Sequence, residues 1–141
     1  MKKIVLASDH GGFELKEQLK NWLSNQGFDV LDVGANNNHA SDHPIFAKKA
    51  IQHVLDGRVG ILVCGTGIGM CQTANRFKGV RAAMAHNKNF ARLSRLHNDS
   101  NILCLNGRFA SLRKIKKIVQ VFLGTEFLGG HYESRIRMLD E

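Results

Sequence analysis

Five short apolar runs, at 4–7, 30–33, 59–64, 80–85 and 102–105, recur along the chain with longer amphipathic segments between them. Their apolar character is continuous rather than alternating, so each run must be covered on both faces, the condition of a parallel sheet packed between helices. The intervening segments read as helices at about 12–25, 43–56, 68–77, 88–96 and 111–123. In the first of them Phe13, Leu15, Leu19, Trp22 and Leu23 gather on one face, Glu14, Lys16, Glu17 and Lys20 populate the other, and Gly27 supplies a stop. Strands alternating with helices imply right-handed crossovers. The expected fold is α/β: a doubly wound, Rossmann-like sheet of five parallel strands in flavodoxin-type order 2-1-3-4-5, with helices on both faces. In a chain of 141 residues a second core would leave each half marginal, so 1–141 is expected to form one domain.

Composition narrows the function classes. Hydrophobic residues at 43% and charged residues at 23% fit a soluble globular protein. No apolar run approaches the roughly 18 residues that span a bilayer, and the N-terminus turns polar after a handful of apolar residues, so neither a membrane partner nor a signal peptide is expected. Cys64, Cys71 and Cys104 are too few and too irregular for a disulfide framework, and no pair has metal-ligand spacing; reduced thiols and a cytoplasmic location follow. Cys71 and Cys104, inside a predicted helix and strand, read as core. The net charge of +8 raises nucleic acid as a partner. However, its densest stretch, Arg113, Lys114, Lys116 and Lys117, alternates with Leu112, Ile115, Ile118, Val119 and Phe122 at helical spacing, and aromatic residues are too sparse for a stacking platform. That stretch is a solvated helix face, and no nucleic acid is expected.

In an open α/β sheet the ligand lies beyond the carboxyl ends of the strands, where strand order reverses. Three segments qualify: 8–12 after the first strand, 64–70 after the third, and 97–101 just before the fifth. All three are expected to face one pocket. Gly65, Gly67 and Gly69, interleaved with Thr66 and Ile68, open a helix so that backbone N–H groups can converge on an anion. The spacing is neither the dinucleotide GxGxxG nor a P-loop. Cys64 stands directly before this loop, beside a helix N-terminus where thiolate becomes available, and suits a base or a nucleophile. A thiolate that removes a proton alpha to a carbonyl leaves an enediolate, which the amides and the Thr66 hydroxyl can stabilise. Asp9 and His10 precede two glycines and read equally as an ordinary cap with a surface histidine or as ligand contacts. His97 and Asn98 carry the same two readings, although a histidine suits a group that gives and accepts protons near neutral pH. Arg108, Arg135 and Arg137 are able to bind phosphate bidentately.

Taken together, SDHGGFELK at 8–16, SDHPIFA at 41–47, CGTGIGM at 64–70, ANRFKGVRAA at 74–83 and SRLHNDSNIL at 94–103 resemble, in order and spacing, the ribose 5-phosphate isomerase B family, which includes the subunits of galactose 6-phosphate isomerase. The resemblance implies an aldose-ketose isomerase, an intramolecular oxidoreductase that interconverts ribose 5-phosphate and ribulose 5-phosphate through an enediolate. It implies Cys64 as base, with Thr66 and the Gly65, Gly67, Ile68 and Gly69 backbone at the enediolate oxygens. His97, assisted by Asp9, would open the furanose ring; His10, Arg108 and Arg135 would hold phosphate, and Asn98 would contact the sugar. It further implies no cofactor, no metal, and a homodimer with the site at the interface, extending to a tetramer, with the segment of about 126–141 docking on the partner subunit.

Two positions depart from the family pattern. His131 stands where the first arginine of GGRHxxR is expected, and His43 precedes Pro44 where relatives often carry tyrosine. These departures keep a galactose 6-phosphate or allose 6-phosphate isomerase open. Fold alone also leaves open a flavodoxin-like phosphate- or nucleotide-binding module without catalysis.

Overall fold

The computed structural model describes residues 2–141. Its elements are β1 (Lys3–Ser8), α1 (Phe13–Asn25), β2 (Asp29–Asp32), α2 (His43–Leu55), β3 (Val59–Cys64), α3 (Ile68–Ala74), β4 (Ala82–Met84), α4 (Lys88–Asn98), β5 (Ile102–Asn106), α5 (Leu112–Gly124) and α6 (His131–Arg137), with short 3-10 turns at His10–Gly12 and Met138–Asp140. All strand pairs are parallel. Helices cover both faces, as the continuous apolar runs require. Leu15, Leu19 and Leu23 of α1 pack with Ile115, Ile118, Val119 and Phe122 of α5 against one side of the sheet. Ala47, Ala50, Ile51 and Val54 of α2 and Met70 and Ala74 of α3 close the other.

The sheet order is β2-β1-β3-β5-β4, so the last two strands exchange places relative to the expected 2-1-3-4-5. The reason lies in how much each strand can bury. Every residue of β5 is buried, which suits an interior position between two neighbours, whereas β4 has three half-buried residues. The Asn75 side chain blunts the resulting edge: its Nδ2 donates to the Ala82 carbonyl at 2.9 Å and its Oδ1 accepts from the Ala82 N–H at 2.8 Å. The exchange matters for the site, because it sets the end of β5 directly beside the end of β3, with Cys64 opposite Asn106.

One residue expected on the polar face of α1 is inside. Lys16 is 0% exposed, and its Nζ donates to Asp32 at 2.6 Å and to Glu17 at 3.0 Å, with Lys20 also donating to Asp32 at 3.0 Å. A buried ammonium is tolerated only when it is paired in this way. Burial pushes the Asp32 carboxyl up, but hydrogen bonds from Lys16, the Gly34 N–H and Lys20 outweigh it and hold the group below its ordinary value. The same carboxylate accepts from Gly34, whose carbonyl accepts from the Ser8 N–H, so the pair straps the loop after β2 onto the end of β1.

Candidate active site

The end of β1 turns sharply because Asp9 caps the 3-10 turn that follows, its Oδ1 accepting from the Gly11 and Gly12 N–H groups at 2.9 and 3.2 Å. A side chain at Gly12 is excluded, since its Cβ would lie 2.4 Å from the Val63 carbonyl oxygen. This close approach brings Asp9, His10 and Gly11 against the loop that follows β3. The strapped loop after β2 then delivers Ser41 to His10: the Ser41 N–H donates to His10 Nδ1 at 3.1 Å, and Ser41 Oγ accepts from the His10 N–H at 3.1 Å. An accepting Nδ1 leaves the proton of the neutral ring on Nε2, a donor for a ligand.

Cys64 ends β3 and is 5% exposed. Its Sγ accepts from the Gly67 N–H at 3.1 Å. Gly67 reaches that geometry with φ at +87°, in the left-handed region that favours glycine, and lies against the backbone of Leu105. Thr66 is exposed, and its Oγ1 accepts from the Ile68 N–H at 3.1 Å, which leaves its hydroxyl proton to point outward. Because β5 neighbours β3, the Arg108 N–H donates to the Gly65 carbonyl at 3.2 Å, and the Arg108 guanidinium lies over Gly65 and Gly11, 3.1 and 3.3 Å from where their Cβ atoms would be. Among the described residues Arg108 has no carboxylate partner. His43, from the first turn of α2, packs its ring against Gly69. Asp9, His10, Cys64, the residues from Gly65 to Gly69, and Arg108 therefore form one group.

His97 and Asn98 stand elsewhere. They end α4, which runs back against the strand direction, and Asn101 just beyond them accepts from the Gly60 N–H at the start of β3. Cys64 is four residues further along that strand, about 13 Å away at 3.3 Å per residue. Within one chain the third expected segment thus lies at the opposite end of the sheet from the other two, because a helix that precedes a parallel strand must finish at that strand's N-terminal end. Asp99 caps α4 with φ at +45° and is held by Arg81 and Arg95 at 3.2 and 3.0 Å. His97 joins a different group: its ring stacks on Tyr132 with centroids 4.5 Å apart, and Arg135 lies over the other ring system at 5.8 Å from the Tyr132 centroid. Together with Asn98, Ile136 and Leu139 they line a cavity of about 330 Å³. Arg137 is engaged by Glu133 at 2.8 Å. Sequence reasoning missed Ser41 and Tyr132. Ser41 lies inside a quoted motif and Tyr132 directly follows His131, yet neither residue type signals that it will contact a histidine.

A parallel doubly wound sheet with a thiol, a glycine loop, a histidine and a guanidinium at its carboxyl edge defines a class of small-molecule enzyme, and comparison with known proteins specifies which. The model of the Ribose/Galactose Isomerase family matches residues 4–139, and the chain belongs to that family of isomerases. It is 38% identical to ribose-5-phosphate isomerase B of Escherichia coli (strain K12), over 99% of this chain and 95% of the relative. Its fold superposes on the crystal structure of a ribose 5-phosphate isomerase from Thermotoga maritima with a TM-score of 0.96 at 47% identity, covering 99% and 97% of the two chains. The ribose-5-phosphate isomerase B of Mycoplasma genitalium with bound ribulose-5-phosphate matches with a TM-score of 0.92 at 40% identity, over 97% and 93%. Among the described residues no helix is long and apolar enough to cross a membrane.

Proposed function

We propose that this chain interconverts ribose 5-phosphate and ribulose 5-phosphate, with Cys64 as the base. The observation that carries the proposal is the Gly67 N–H directed at Cys64 Sγ, in a loop flanked by a donor imidazole and an unpaired guanidinium. His10 Nε2 and Arg108 suit the phosphate. Cys64 takes the proton from C2 of the open-chain aldose. The charge that moves onto the C1 and C2 oxygens is received by Thr66 and the loop amides, and return of the proton at C1 gives the ketose.

The same proposal assigns the remaining groups to a second copy. Thr66 and Ile68, which flank the Cys64 loop, are exposed in the single chain and leave that side for a second copy to cover. The His97, Asn98 and Arg135 group lacks a reacting centre. A homodimer in which the second copy brings its His97 to the ring oxygen, its Asn98 to a hydroxyl and its Arg135 to the phosphate completes both. Asp9, with Oδ1 committed to its cap, offers Oδ2 to the anomeric hydroxyl. The segment of about 126–141 is the docking element: α6 buries no residue in its own chain, and Leu128, Met138 and Leu139 are exposed. Three free thiols suit the reducing cytoplasm.

The test is turnover of ribose 5-phosphate, allose 6-phosphate and galactose 6-phosphate by the purified chain. Ribose 5-phosphate is expected to be the best substrate, and Cys64→Ala is expected to lower kcat by about 10³-fold with KM nearly unchanged. A preference for a six-carbon sugar would transfer the assignment to that substrate, and full activity in Cys64→Ala would remove the base.

A further inference from the structure

The His97, Asn98 and Arg135 group is assembled from two elements that are held in different ways. Helix α4, which ends in His97 and Asn98, is anchored by the buried Ala91. Helix α6, which carries Tyr132 and Arg135, buries no residue. The chain enters α6 through Gly129 and Gly130, at φ of +69° and +61°, with open space where their Cβ atoms would lie, so no side chain steadies that end. Among the described residues, one hydrogen bond ties the segment 129–141 to the rest of the chain: the Gly79 N–H donates to Asp140 Oδ2 at 2.8 Å. The loop that Asp140 grips also fixes the end of α4. The Gly79 carbonyl accepts from Asn101 Nδ2 at 2.8 Å, and two residues on, Arg81 donates from Nε to the Asp99 carbonyl at 2.8 Å and from Nη2 to the Asp99 carboxylate at 3.2 Å. Asp99 directly follows His97 and Asn98. Asp140, Leu139, Arg81 and Asn98 line one cavity of about 400 Å³, and Leu139 and Asn98 also line the cavity of His97 and Arg135. The loop at 79–81 thus sets α4 and α6 relative to each other.

We propose that Asp140 is a positioning residue for the isomerisation: its grip on Gly79 holds α6 in the placement that sets Arg135 beside His97 and Asn98. Asp140 does not itself reach the substrate and acts only through the helix. A guanidinium that holds phosphate does so in the ground state and the transition state alike, so displacing it weakens binding and raises KM while leaving kcat. The tail carries this role because a helix without buried side chains has no packing to return it to one position.

This inference rests on the isomerase reading for its effect on KM but not for the latch itself, and the two are read separately. Asp140→Ala removes the acceptor, whereas Asp140→Asn keeps one in its amide oxygen. In hydrogen exchange followed by mass spectrometry, the amides of 131–140 are expected to exchange about tenfold faster in Asp140→Ala than in the native chain, with Asp140→Asn close to native. Equal exchange in Asp140→Ala and the native chain overturns the latch, whatever the chain catalyses. Asp140→Ala is further expected to raise KM for ribose 5-phosphate about tenfold with kcat within about twofold of native, and Asp140→Asn to restore KM. The same loss of about tenfold is expected in affinity for inorganic phosphate titrated by calorimetry, a readout independent of turnover. In an Arg135→Ala chain, which lacks the group being positioned, Asp140→Ala is expected to add nothing to either loss. Faster exchange with native phosphate affinity, or a loss that persists in full in the Arg135→Ala chain, would overturn the positioning role. A native chain that turns over no phosphosugar would overturn the isomerase reading, and the phosphate titration would still decide what Asp140 does.

Discussion

Lys16 is the residue whose environment departs furthest from its chemical type. Its ammonium is sealed beneath α1 with Asp32 as its closest partner, and removing one member of such a pair strands a charge. Asp32→Leu, which leaves the buried Lys16 ammonium only the Glu17 carboxylate, is therefore expected to cost about 3–5 kcal/mol in urea unfolding, more than the double variant Lys16→Met/Asp32→Leu, in which no buried ammonium remains. Asp32 is held below its ordinary value in the folded state, so its contribution is complete above the unfolded value and is lost as pH falls through the folded one. Native stability should accordingly decline below about pH 4, and Asp32→Asn should flatten that decline in an acid titration followed by circular dichroism. The sequence does not reveal any of this. Lys16 falls on the polar stripe of α1 by periodicity, and only the packing of the loop after β2 turns that position inward. The placement of Cys64 was legible, because an apolar run that stops ahead of three spaced glycines marks a strand end, and β3 ends on this residue with the Gly67 N–H at its sulfur.

At the scale of elements, apolar runs and helical periodicity located the strands and helices α1 to α5 to within a few residues, because burial on both faces leaves a continuous signature. Strand order did not follow, since the crossover from β3 to β4 is the same length whether β4 pairs with β3 or one position further out. What decides it is that β5 can fill an interior position and β4 cannot. Within one chain 97–101 does not meet the other two segments, for a related reason: residues just before a strand lie at the end opposite its carboxyl edge. Helix α5 was read correctly, with its basic residues outward and Ile115, Ile118, Val119, Phe122 and Leu123 buried. Phe122 is the largest apolar anchor of that layer, and Phe122→Ala is expected to cost about 3–5 kcal/mol in chemical denaturation while leaving KM for substrate unchanged, because the helix packs away from the Cys64 loop.

The molecule as a whole presents two incomplete constellations, one at each end of its sheet, and the account holds that a second copy joins them. His97→Ala is then expected to slow turnover of cyclic ribose 5-phosphate by about 10²-fold and to spare an acyclic analogue, a contrast read by steady-state kinetics on both substrates. The most direct measurement mixes two inactive proteins, Cys64→Ala and the double variant His97→Ala/Arg135→Ala, after unfolding and joint refolding, and assays the mixture for isomerisation. Joining across copies predicts that activity returns, because each mixed dimer regains one pocket with an intact sulfur facing an intact histidine and arginine. A mixture that stays inactive, while mass measurement shows the two variants in the same oligomer, would contradict it.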